Sequence, residues 1–166
     1  MEHCIKYVLI LVGVIALGHF FVSMIPNLLL RRRANGRAGD GLVIFVEGIR
    51  WLSVPWDCWP AHEGLRRAGF TGRFVYWKWH AWWWAWLALP VLMNRREMDR
   101  KAARLAKFIT HQRRRHPERP IYLMGCSCGA YVSVRAMELL PTGVAVDSAA
   151  LLAGAVDSRR NLSAAL

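Results

Sequence analysis

Apolar and polar positions divide the chain into one long apolar stretch followed by short alternating units. From Tyr7 to Leu30 the sequence is apolar except at His19, Ser23, Pro26 and Asn27. A helix rises ~1.5 Å per residue, so a stretch of this length reaches across a hydrocarbon core of ~30 Å. It exceeds the usual hydrophobic region of a cleaved signal peptide, and no A-x-A site precedes Arg31-Arg32-Arg33. Residues 1–30 therefore read as an uncleaved, single-pass anchor, and the basic, glycine-containing residues 31–41 as a linker.

Beyond the linker the period changes. Leu42–Val46 is an unbroken apolar run with β-branched residues, the pattern of a strand buried on both faces. Residues 57–69 predict a helix with Leu65 and Ala68 facing inward and Gly69 as its C-cap. Arg73–Trp77 predicts a second strand. Residues 94–116 predict a long helix with Met98, Ala102, Leu105 and Ile109 on one stripe, closed by Pro117 and Pro120. A third strand is expected at Ile121–Met124, a helix from Ser127 to Leu140, a fourth strand from Val144 to Leu152, and a helical start at Asn161–Leu166. This alternation predicts an α/β fold: about four parallel strands with helices on both faces.

Composition sharpens the membrane reading. Hydrophobic residues make up 55% of the 166 residues, and the formal net charge is +12. Ten basic residues between Arg95 and Arg119 face only Glu97, Asp99 and Glu118, leaving +7 on that segment. No nucleic-acid-binding motif accompanies the charge, so anionic headgroups are the expected partner and nucleic acid is not. Flanking charge near +1 before the apolar stretch and near +3 after it places the later residues on the cytoplasmic side. Six of the nine tryptophans fall within Trp77–Trp86, a segment suited to a membrane interface, to the floor of an acyl-binding pocket, or to an aromatic layer between helix and sheet. Cys4, Cys58, Cys126 and Cys128 lack the spacing of a zinc site or a disulfide framework and read as reduced thiols, buried where they flank Ser127 and turned away from it. No metal or cofactor is expected.

The most specific feature is Gly125-Cys126-Ser127-Cys128-Gly129, set between an apolar strand and a helix. A serine on such a turn is lifted above the sheet edge, and the flanking glycines leave room for strand and helix. With Val46-Glu47-Gly48-Ile49 after the first strand, residues 41–166 resemble the α/β-hydrolase superfamily, in particular its esterase and lipase branches. The resemblance covers the third to sixth strands of the usual eight, so residues 42–166 read as a truncated α/β-hydrolase domain with strand order second, first, third, fourth. It implies Ser127 as nucleophile and the backbone N–H groups of Ile49 and Cys128 as the oxyanion hole. Glu47 stands where many members have histidine.

The resemblance also implies an acid and then a histidine after the serine, yet all six histidines precede Ser127. Asp157, just past the fourth strand, is the acid candidate, with Asp147 a poorer one. His80, after the second strand, is the base candidate, with His62 beside it; the remaining histidines read as solvated. Two functions follow. One is a membrane-anchored serine hydrolase acting on an acyl ester or lipid. The other is an inactive, truncated remnant that at most binds membrane or a partner.

Overall fold

The computed structural model describes residues 2–33, 40–48, 57–79, 94–163 and 165, with side chains of the first stretch described at 4–18 and 21. Eight elements follow in order: α1 (Glu2–Arg33), β1 (Leu42–Val46), α2 (Cys58–Arg67), β2 (Arg73–Trp77), α3 (Arg95–Arg115), β3 (Ile121–Cys126), α4 (Cys128–Glu138) and β4 (Ser148–Leu152). The helix α1 runs through Arg31–Arg33, so helical backbone continues past the expected boundary at residue 30. Its described apolar side chains are exposed, from 51% at Phe21 to 72% at Tyr7. Among the described residues no helix is long and apolar enough to cross a membrane, so the expected span gains no support from them.

The four strands form one parallel sheet in the order β2-β1-β3-β4. Successive side chains on a strand point to opposite faces. Accordingly Leu42, Ile44 and Val46 meet α3 and α4 on one face, while Val43 and Phe45 meet α2 on the other. Every residue of β1 is buried, as its unbroken apolar run requires. The stripe of α3 also lies as expected, with Met98, Ala102, Leu105 and Ile109 all buried. Asn94 starts that helix by accepting a 3.1 Å hydrogen bond from the Glu97 N–H, satisfying a donor that would otherwise lack an intrahelical partner.

Several local expectations are corrected. β4 begins at Ser148 rather than Val144. The reason is Arg113, whose guanidinium takes the Ala145 carbonyl (3.1 Å) and the Asp147 carboxylate (2.5 Å), holding that backbone off the ladder. The second carboxylate contact, from the Ile121 N–H at 2.7 Å, makes Asp147 the clasp at the start of the strand pair. Ala68 is exposed at the end of α2, whose buried residues are Cys58 and His62. The segment from Asn161 forms a turn, not a helix, because the Asn161 side chain accepts from both the N–H and hydroxyl of Ser163. Leu162 and Ala165 nonetheless pack onto the core shared by α3 and α4.

Candidate active site

Ser127 sits between β3 and α4 with φ 51° and ψ −121°. A positive φ on a residue with a Cβ is uncommon and costs on the order of 1–3 kcal/mol, so the surroundings must enforce it. Three backbone hydrogen bonds do so. The Ser127 N–H donates to the Leu152 carbonyl (2.9 Å), and its own carbonyl accepts from Ala130 (3.0 Å) and Ala155 (3.1 Å). β4 and the loop after it therefore hold the serine from outside its own strand and helix.

The glycines of the motif are explained by what surrounds them. A Cβ at Gly129 would come within 2.1 Å of the Val46 carbonyl oxygen, and one at Gly125 within 2.7 Å of the Ala130 Cα. Only bare backbone lets α4 lie this close to β1 and β3. Gly48, after β1, approaches the serine itself, since a Cβ there would stand 2.9 Å from the Ser127 Cβ. The chain just after β1 thus reaches Ser127. Ile49, the next residue, lies outside the described residues, as does His80.

Cys128 opens α4, where the first N–H groups of a helix lack intrahelical partners and carry a favourable field for a developing anion. Of the two flanking thiols, that of Cys128 is not turned away from Ser127 as expected. Cys128 Sγ lies 4.0 Å from Ser127 Oγ. Cys126 Sγ lies 3.4 Å from the Asp57 carboxylate at the start of α2. Burial, then the Asp57 hydrogen bond and the negative charges of Asp57 and Glu47, push the Cys126 thiol up to about 11. Burial raises Cys128 as well. A thiol attacks as its thiolate, so both cysteines are weak nucleophiles at neutral pH.

Glu47 is almost fully buried beside this turn and accepts a hydrogen bond from the Tyr76 hydroxyl. Its backbone carbonyl accepts from the Trp79 indole at 2.5 Å. Trp79 is buried, and Trp77 packs on Phe108 with ring centroids 5.2 Å apart, so these two tryptophans follow the aromatic-layer reading. Residues 80–93, with the other four tryptophans of the segment, lie outside the described residues. The sequence reading missed Asp57 and Tyr76 as neighbours of the motif. The usable signal was positional: one sits at the start of α2, and the other pairs with Phe45 in β2 beside β1.

Among the described residues no hydrogen bond joins Asp157 or His62 to Ser127. Asp157 is exposed and caps a local turn, accepting from the Arg159 N–H at 2.9 Å. His62, the second base candidate, is buried against Phe74, with ring centroids 4.9 Å apart. β2 lies two positions from β3, so a side chain following it starts ~10 Å from the elbow strand.

Sheet order, strand-to-helix turn and strained serine together define an α/β-hydrolase-like fold. The comparison of structures agrees. The chain matches a cutinase of Trichoderma reesei, solved in complex with a phosphonate inhibitor, with a TM-score of 0.51 at 16% sequence identity. The match covers 84% of this chain and 65% of the cutinase chain. No family profile and no curated protein matches the sequence.

Proposed function

We propose that this chain is a serine hydrolase of carboxylic esters, tethered to a membrane by α1. The observation that carries the reading is the left-handed backbone of Ser127, held by three hydrogen bonds where β3 turns into α4. Ser127 Oγ attacks the acyl carbonyl, and the N–H groups of Cys128 and Ile49 receive the charge that develops on oxygen. The serine proton needs a base within hydrogen-bond reach. In this chain His80 is the candidate, with Asp157 as the acid; an imidazole from a second polypeptide is the other source. Membrane attachment rests on the apolar sequence Tyr7–Leu30 and on the exposure of the described α1 side chains.

One observation favours a second reading, a non-catalytic fold. Among the described residues the hydrogen-bond partner of Ser127 Oγ is the weak acceptor Cys128 Sγ, not an imidazole. Without a base a serine hydroxyl is a poor nucleophile at neutral pH. Labelling the folded full chain with a fluorophosphonate, beside Ser127→Ala, separates the two. Labelling that disappears in Ser127→Ala supports the hydrolase; a folded chain that does not label supports the idle fold.

A further inference from the structure

A groove of about 490 Å³ lies between the later turns of α3 and the end of α4. It is lined by apolar Ala103, Ala106 and Leu139 and by the cations Lys107 and Arg114, with His111 between them. Lys107, His111 and Arg114 fall on one side of α3 because residues three and four apart share a helix face. The neighbouring Arg113 is fully engaged, bonding the Pro117, Arg119 and Ala145 carbonyls and Asp147. Lys107 and Arg114, by contrast, form no ion pair or side-chain hydrogen bond among the described residues. An apolar lining beside unpaired cations fits an amphiphilic anion.

The place of the groove in the fold identifies its occupant. In a parallel sheet each connecting helix runs back from the C-terminal edge of the strands to their N-terminal edge. The ends of α3 and α4, and hence the groove, lie at the edge where strands begin. The chain enters β1 at that same edge, where the Leu42 N–H bonds the Pro120 carbonyl just before β3. Eight residues separate Arg33 from Leu42, a tether of at most ~30 Å. The apolar helix α1 and the cationic groove are therefore attached to one side of the domain.

We propose that the groove seats an anionic phospholipid, headgroup phosphate on Lys107 and Arg114 and glycerol-proximal chain on the apolar lining. The inference rests on the membrane attachment proposed above. It also sets orientation. Ser127 lies at the opposite edge, twelve residues up from Leu139 or ~18 Å along α4, so the nucleophile faces the aqueous side. The ester it meets then arrives from water rather than from the bilayer beneath.

The test reconstitutes the full chain into phosphatidylcholine vesicles, with and without phosphatidylglycerol, each carrying a headgroup photocrosslinker on one lipid. Adduct peptides are mapped by mass spectrometry. Adducts on residues 103–114 and 139–141 are expected from the phosphatidylglycerol probe, at least ~10-fold more than from the phosphatidylcholine probe. Each basic residue near an anionic surface contributes about 1 kcal/mol, so Lys107→Gln with Arg114→Gln should cost at least ~10-fold in adducts. Unchanged thermal melting shows that the double variant folds. Equal adducts from both lipids, adducts concentrated on residues 153–163, or full displacement by inorganic phosphate would overturn the proposal. Flotation with neutral vesicles reports α1 alone, and fluorophosphonate labelling reports Ser127 alone, so failure of either earlier reading is seen separately.

Discussion

Gly48 and Ser127 are in direct van der Waals opposition: a Cβ on the glycine would stand 2.9 Å from the serine Cβ and 3.5 Å from its Oγ. The contact joins the loop after β1 to the turn after β3. It leaves the serine side chain little room on the Gly48 side. Gly48→Ala must push one partner away, and shifts on the order of 1 Å at reacting atoms cost ~100-fold. The expected result is a loss of fluorophosphonate labelling rate of that order, with a native circular dichroism spectrum.

The remaining glycines should divide by what surrounds them. Gly129→Ala places a methyl group 2.1 Å from the Val46 carbonyl, on backbone that cannot yield without separating α4 from β1. We expect a loss of about 3 kcal/mol, the upper end of overpacking costs. Gly64, inside α2, has nothing within 4 Å of a Cβ, and Gly64→Ala should stabilise by about 1 kcal/mol through helix propensity. Urea midpoints of the two variants measure both; a tolerated Gly129→Ala would contradict the close helix–sheet approach.

The Cys126 thiol, held up to about 11 by burial first and then by Asp57 and Glu47, should alkylate far more slowly than a free cysteine. Two or more units above the ordinary thiol value correspond to a ~100-fold smaller thiolate fraction near neutral pH. Because the folded value is raised, folding is favoured below the unfolded value and the contribution is lost as pH climbs through the folded one. Iodoacetamide rates at Cys126 should therefore rise only at strongly alkaline pH. Asp57→Asn, which removes one of the two negative neighbours, should move that rise to lower pH.

Two carboxylates titrate in the opposite sense. Arg160 and then Arg135 hold Glu138 below its ordinary range, against the opposing effect of burial. At Asp147 burial acts upward but is outweighed by the Ile121 N–H and Arg113, which bring it below the usual value. Depressed folded values contribute stability above the unfolded values, ordinarily ~4, and lose it as pH falls through the depressed ones. The melting temperature should drop as pH is lowered from about 4.5. Asp147→Asn should reduce that slope while lowering stability at neutral pH.

Much of this fold was legible because each element has its own local cause. The stripe of α3, the doubly buried β1 and the glycines around Ser127 are patterns of period, length and steric need, and they appear as expected. What escaped depends on residues far apart in sequence. Arg113 decides where β4 begins, yet 34 positions separate it from Asp147. His62 reads as a base candidate until the fold buries it against Phe74. Cys126 meets Asp57 only because α2 starts near the end of β3. The strained serine turn was readable from five consecutive residues; its electrostatic neighbours are a product of tertiary packing.

All five residues of β4 are exposed, and Ser148-Ala149-Ala150-Leu151-Leu152 contains neither charge nor proline. Edge strands of soluble proteins are commonly guarded by such residues against joining another backbone. This one is unguarded, and its last carbonyl holds the Ser127 N–H. Anything that adds to the strand therefore touches the backbone support of Ser127. Yield, turbidity and apparent activity should all vary with protein concentration, making dilution an experimental variable as consequential as pH.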